Sequence, residues 1–281
     1  MYSDVFCKVY NELGWNYYPE AFGEELLRWM AQERLTVKTS MDLACGTGIL
    51  CRILRDQGIE ASGMDFSEGM IAIARENSPG IHYDVADMIT YRPDKQFDLV
   101  TCTGDAINHI PDLQDVEKIF QNVYAYLRPG GRFVFDILNE HEASAGDPFE
   151  IDFNGQQIWF QMTKPTPKTV NLQIKAFENG KELFEENIRE TIHDPEVVCQ
   201  LLQKCGFTVL NVPIVCWTMR PTTPPHGMSS QENKSSTNGA AFLVVQNFNI
   251  KAYGAETVVA GNHSRVRIFH PAVIEISTAP G

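Results

Sequence analysis

Along the first half of the chain, short apolar runs alternate with stretches where apolar side chains recur every three or four positions. The runs predict strands at 38–44, 59–64, 81–85, 97–102 and 131–138, and the helical spacing predicts helices at 47–57, 67–77 and 112–127. In the last of these Leu113, Val116, Ile119, Phe120, Val123 and Leu127 share one face behind Asp112, and Pro129-Gly130-Gly131 is read as its stop. Runs such as Phe97-Asp-Leu-Val-Thr-Cys are apolar enough to be covered on both faces, so a parallel, doubly wound α/β sheet is expected. Upstream, Phe22, Leu26, Leu27, Trp29 and Met30 mark a helical face after Pro19. After Ile137 the period changes to two. Asn154-Gly155 and Asn179-Gly180 read as tight hairpin turns and predict an antiparallel meander of strands 148–153, 156–164, 168–177 and 181–192. Helical spacing returns at Val197, Val198, Leu201 and Leu202, between Asp194-Pro195 and Gly206, and strands follow at 207–215 and 240–246. With these the main sheet counts seven strands. Residues 218–239 are rich in Pro, Thr, Ser, Asn and Gln and are expected to be a long or disordered loop.

Charge and cysteine usage narrow the function. The chain of 281 residues carries a net charge of −13 and has no cluster of Lys and Arg, which disfavours nucleic acid and anionic membrane surfaces as partners. No apolar run reaches the length of a membrane span and the N-terminus lacks a signal-peptide pattern. Seven cysteines form no CxxC pair and no zinc-ligand spacing; a reducing, cytoplasmic setting and no metal are expected.

The chemistry concentrates at Met41-Asp-Leu-Ala-Cys-Gly-Thr-Gly48, where an apolar run ends in an acid and two glycines that open a helix. Gly46 and Gly48 suit a strand-to-helix turn that lets a ligand approach bare backbone N–H groups. Asp65 follows Gly46 by 19 residues, the place of a ribose-binding carboxylate in mononucleotide-binding folds. A dinucleotide site would want a third glycine at position 51, where this chain has Cys51. A nucleoside without phosphates is therefore expected rather than NAD.

These segments, with Gly63-Met-Asp-Phe-Ser-Glu-Gly-Met70, Val85-Ala-Asp-Met88, Phe97-Asp-Leu-Val100 and Leu127-Arg-Pro-Gly-Gly-Arg-Phe-Val-Phe135, resemble the ordered motifs of class I S-adenosylmethionine-dependent methyltransferases. The likeness extends over about residues 1–247 and is greatest to small-molecule enzymes of the glycine N-methyltransferase-like kind, which carry an antiparallel insertion after the fifth strand. It implies a Rossmann-like methyltransferase fold with an antiparallel last strand, and S-adenosylmethionine as methyl donor to a nitrogen or oxygen of a small molecule. It further implies that Asp42 holds the methionine end, although an acid there could equally serve the helix N-terminus. Asp65 would take the ribose hydroxyls. Asp87 would bond the adenine amine beside the backbone at Met88, unless it serves only its turn. Ala44, Gly46, Gly48, Phe66, Met70, Thr103 and Tyr10 are assigned to the same cofactor.

After strand 97–102, Asp105 and His109 are candidates to face the methyl group or the acceptor; His109 could equally be a turn or core-edge histidine. In the Tyr-rich N-terminus, Tyr10 and Tyr18 are candidates for lid or acceptor contacts, whereas Trp159 and Phe160 read as core. The organisation expected is an N-terminal helical cap (1–36), a cofactor-binding core (37–140 and 194–247), the insertion 148–193 as acceptor lid or dimer contact, and an extension 248–281 of no assigned role. A homodimer is compatible with the sequence. The rivals are a non-catalytic S-adenosylmethionine-binding protein, the same fold acting on protein or RNA, and an NAD-dependent oxidoreductase.

Overall fold

The computed structural model describes residues 2–138, 145–153, 155–210 and 241–246. Asn154, most of the 207–215 strand expectation, the 218–239 loop and the 248–281 extension lie outside the described residues.

The main sheet is built from β1 (Thr39–Leu43), β2 (Glu60–Asp65), β3 (His82–Val85), β4 (Phe97–Cys102), β5 (Leu127–Ile137), β10 (Thr208–Leu210) and β11 (Ala241–Gln246). Its order is β10-β11-β5-β4-β1-β2-β3. The first five strands run parallel, and β11 pairs antiparallel with β5, Ala241 opposite Ile137 through Gln246 opposite Arg132. The helices α2 (Tyr17–Gln32), α3 (Ile49–Asp56) and α4 (Glu68–Asn77) cover one face, with Phe22, Leu26, Leu50, Leu54 and Ile71 packed around Tyr83 and Leu99. On the other face α5 (Leu113–Tyr126) and α6 (Pro195–Lys204) bring Val116, Ile119, Phe120 and Leu202 against Phe133 and Phe135. Burial on both faces explains why these strands read as continuous apolar runs.

Two expectations change in detail. The helix expected after Pro19 starts earlier, at Tyr17, and takes Pro19 into its first turn, where a missing N–H costs nothing. Helix α5 ends at Tyr126, before Pro129, so the proline does not stop it. Strand β5 already begins at Leu127, and Arg128-Pro-Gly-Gly131 forms a bulge, because Leu127 pairs with Phe97 and Arg132 with Leu99. Asp98, the single residue opposite, clamps the bulge by accepting a bond from Arg128 Nη1 at 2.9 Å. Gly130 supplies φ +79°, and a Cβ at Gly131 would lie 2.9 Å from the Arg128 carbonyl oxygen.

The second sheet is the predicted meander: β6 (Phe149–Phe153), β7 (Gln156–Thr166), β8 (Thr169–Glu178) and β9 (Lys181–Thr191). Asn179 and Gly180 both have positive φ, 51° and 76°, as a type I′ hairpin turn requires. One face of this sheet is apolar through Ile158, Phe160, Ile174, Phe184 and Ile188. It is covered by α1 (Asp4–Val9) and the π-helical turn Asn11–Trp15, which kinks at Gly14. Phe6 stands edge-on to Trp15 and contacts Phe184, and Trp15 meets Phe160. Phe160 is thus core as expected. Trp159 departs from that reading: it alternates to the other face, half-buried, with Lys175 Nζ 6.0 Å from its ring centroid.

Candidate active site

A cavity of about 760 Å³ lies at the carboxyl ends of β1, β2 and β4, beneath β9 and the N-terminal segment. The strand order reverses between β1 and β4, the place where open α/β sheets leave a crevice.

The loop after β1 forms the floor. Ala44, Gly46 and Gly48 all have left-handed backbones, with φ +53°, +53° and +77°. Ala44 tolerates a conformation that usually costs a β-carbon-bearing residue about 1–2 kcal/mol. The two glycines serve different ends. A Cβ at Gly46 would meet nothing within 4 Å, so the chain stays open toward the cavity. At Gly48 a Cβ would sit 2.4 Å from Tyr83 Oη, so that glycine permits packing and does not line the cavity. Nor are the two N–H groups bare: Gly46 donates to Asp65 Oδ2 at 2.9 Å and Gly48 to the Cys45 carbonyl at 3.0 Å. Closeness at the position of the missing third glycine comes from the facing strand. A Cβ on Gly63 would lie 2.8 Å from Cys45 Sγ and 2.9 Å from Cys51 Sγ.

Three carboxylates ring the floor. Asp42, 4% exposed, accepts a 2.6 Å bond from Thr101 Oγ1, and burial pushes its carboxyl up to about 7. Asp65 receives Gly46 N on one oxygen and Ser67 N at 2.8 Å on the other, tying the β1 loop to the start of α4; burial raises it against these bonds. Asp87 accepts from Ile89 N at 2.8 Å, and its carbonyl accepts from Thr90 and Tyr91 N–H, so its turn and cavity positions coexist. Met88 lines the cavity and packs on the core, Met70 is buried at its edge, and Phe66 stands 57% exposed.

The far side is built by the loop after β4, where Thr103, Asp105 and His109 all line the cavity. Asp105 has φ +57° and begins the 3-10 turn Ala106–His109. The loop is held by Asp136, a fully buried residue of β5 that accepts from Gly104 N at 2.9 Å, Asp105 N at 3.0 Å and the Tyr18 hydroxyl of α2. Tyr18 therefore anchors this loop from below. Tyr10 lies in the roof, stacked on Trp15 at 5.5 Å, and burial raises its hydroxyl well above the ordinary tyrosine value.

Sequence reading missed Asp136 and the acids of β9. Inward positions of β9 alternate Phe184, Glu186, Ile188, Glu190. Glu186 is buried and accepts from Ser3 N at 2.8 Å, which pins the N-terminus. Glu190 has Oε1 4.0 Å from His109 Nε2, and burial, then the charge of Asp136, lifts it to about 7. Burial lowers His109, so its imidazole is neutral near pH 7. The signals were present: an acid inside the apolar run Phe133-Val-Phe-Asp-Ile, and two glutamates in phase with Phe184 and Ile188.

The donor set decides what fits. The charged lining comprises Asp42, Asp65, Asp87, Asp105, Glu186 and Glu190 against Arg189 alone, apart from the neutral His109. Such a field repels the pyrophosphate of a dinucleotide and suits a cationic nucleoside with hydroxyls and an amine to be accepted. S-adenosylmethionine, with its sulfonium and ammonium, matches that set. Among the described residues no group of three His, Cys, Asp or Glu side chains is arranged to hold a metal, and no helix is long and apolar enough to cross a membrane.

Comparison with known proteins agrees. A methyltransferase-domain family model matches residues 41–131. YqeM of Bacillus subtilis, named as a methyltransferase, is 24% identical over 245 residues, spanning 83% of this chain and 97% of its own. The ubiquinone biosynthesis O-methyltransferase of Coxiella burnetii is 30% identical over 117 residues, 39% of this chain and 48% of its own. Among solved structures, an S-adenosylmethionine-dependent methyltransferase from Clostridium acetobutylicum superposes with TM-score 0.65 at 22% identity, covering 81% of this chain and 91% of that one. CalS10, an amino pentose methyltransferase of Micromonospora echinaspora solved with S-adenosylmethionine, gives 0.64 at 18%, covering 88% and 98%. At these identities the structures speak for the fold, and the family model and sequence relatives for the methyltransferase domain. Ordered motifs, sheet topology and these matches together make residues 41–131 a methyltransferase domain, in a chain that has the fold of the class I S-adenosylmethionine-dependent methyltransferases.

Proposed function

We propose that the protein transfers a methyl group from S-adenosylmethionine to a nitrogen or oxygen of a small molecule. The observation that carries this reading is the acid-lined cavity, open-floored at Gly46 and closed above by β9 and the N-terminal segment. Asp42 would hold the ammonium of the methionine end, Asp65 the ribose hydroxyls, and Asp87 with the Met88 backbone the adenine. Thr103, Asp105 and His109 border the side where an acceptor would lie. When bound, the donor supplies a methyl group already activated on a positively charged sulfur. The protein's task is then to place a nucleophile in line and keep water out, and orientation of this kind is worth about 7–11 kcal/mol. Enclosure by the meander favours a small acceptor over a protein or RNA, as do the amino pentose and ubiquinone-pathway specificities in the names of two similar proteins. Neutral His109, on the side where the acceptor would lie, would accept the proton an amine or hydroxyl sheds.

Calorimetric titration tests the reading. S-adenosylmethionine and S-adenosylhomocysteine are expected to bind and NADH not. Binding of NADH with no response to either nucleoside would overturn it, and binding without turnover on any acceptor would favour a non-catalytic role.

A further inference from the structure

The geometry points to Glu190 as the residue that selects the acceptor: with His109 it forms a seat for the ammonium group of a small amine carried on an apolar body. This rests on the methyl-transfer reading and names the substrate class of the same site.

The cavity has two ends. Asp65 and Asp87 follow β2 and β3 on one side of β1; His109, Asp105 and Asp136 belong to β4 and β5 on the other. Glu190 hangs over this second end from β9. The next residue of that strand is tied to the loop after β4 by buried Asn108, whose Nδ2 donates to the carbonyls of Thr191 at 2.8 Å and Leu138 at 3.2 Å while its Oδ1 accepts Leu138 N–H at 2.8 Å. The adjoining walls are apolar: Ile110, Leu138, Met162, Val170, Leu172 and Ile188. Among the described residues, the basic side chain that comes within ion-pair distance of Glu190 is His109, at 4.0 Å, and burial lowers its imidazole so that it is neutral near pH 7. The other charged side chains around this end are Asp105 on the loop, Asp136 on β5 and Glu186 on β9, all acidic, whereas Arg189 alternates to the exposed side of its strand, and the chain's N-terminal amino group adds a positive charge that lowers His109 further. Among the described residues no Lys or Arg pairs with Glu190, and a carboxylate so placed, ringed by apolar walls, is completed by an ammonium ion.

The same pair handles the proton. The bound ammonium gives one proton to His109 Nε2, and the imidazolium so formed is balanced by Glu190. The freed nitrogen lone pair then forms the new N–C bond as the methyl–sulfur bond breaks, its electron pair staying on sulfur, which becomes a neutral thioether. The product leaves as a methylated ammonium.

The test uses the whole chain saturated with S-adenosylhomocysteine and two probe pairs, cyclohexylamine with cyclohexanol and n-butylamine with n-butanol, titrated by calorimetry. Each amine is expected to bind at least ~10-fold tighter than its alcohol. Amine affinity should rise between pH 6 and 8 as Glu190 ionises, with His109 and Asp136 acting in the same direction. Glu190→Gln should lower amine affinity ~10-fold or more and flatten that rise, with S-adenosylhomocysteine affinity held within about twofold. Alcohols binding as well as amines, no binding by any probe, or an unaffected Glu190→Gln would each overturn the assignment. If Glu190→Gln fails to fold, Glu190→Asp and the wild-type amine–alcohol comparison decide. Failure of S-adenosylhomocysteine itself to bind would instead overturn the methyl-transfer reading.

Discussion

Asp42 is buried on β1 at the floor of the cavity, and its protonation links the site to the stability of the chain. Its carboxyl is lifted to about 7 by burial, against an ordinary value near 3.8. A folded state that holds a proton more tightly than the unfolded one gains stability at low pH. The contribution of Asp42 is therefore full below about pH 4 and is lost as pH rises through about 4 to 7. Asp42→Asn should flatten the pH dependence of urea unfolding in that window. An ammonium bound beside Asp42 would favour the carboxylate, so S-adenosylmethionine binding near pH 6.5 should release protons. Titrations in buffers of different ionisation enthalpy would show it, and a buffer-independent heat would count against Asp42 as the methionine-end ligand. Asp65 makes a second case. Losing charge-assisted bonds to two hydroxyls in Asp65→Ala should weaken cofactor binding by about 2–4 kcal/mol, roughly 30- to 1,000-fold. The variant should also unfold more easily, by about 1–3 kcal/mol, because Gly46 and Ser67 N–H lose their acceptor. A folded variant with near-normal cofactor affinity would remove the ribose assignment. Residues such as Asp42 and Asp65 were legible because their spacing from the glycines is local to one strand–turn–helix unit. Asp136 and Glu190 escaped because their meaning depends on which loop or helix lies across from them.

Among the elements, β9 and the N-terminal segment act on the site as one assembly. Phe6 against Phe184, Trp15 against Phe160 and Ser3 N–H on Glu186 join them on the apolar face of the meander. Loops and sheets added to a rigid core commonly carry specificity. Replacing residues 148–193 by the insertion of a relative should therefore change acceptor preference and leave cofactor affinity similar. The exchange should succeed only when residues 2–16 are replaced with it, since aromatic partners are divided between the two. Side-by-side acceptor profiling and cofactor titration of both chimaeras checks this; collapse of cofactor binding in a folded double exchange would refute the division of labour. Period-two alternation and Asn179-Gly180 made the meander readable. The kink at Gly14 and the cover it provides were not, because a π-helical turn leaves no periodic signature in so short a segment.

For the molecule as a whole, the net charge of −13 and the acid-lined cavity have the same sign, so the field that discourages nucleic acid also draws a cation inward. The doubly wound sheet followed from apolar runs because each parallel strand is buried on both sides. The bulge at Arg128–Gly131 did not, since Pro-Gly-Gly after a helix reads first as a stop signal. The bond from Ser3 to Glu186 spans 183 residues, and it sets a schedule. At about 5–20 residues per second on the ribosome, the strand that shelters Phe6 emerges roughly 10–40 s after it. During that interval the aromatic start of the chain lacks the apolar face of the meander that covers it in the fold. The cavity is therefore closed late in assembly, after the floor formed by β1, β2 and β4 has left the ribosome.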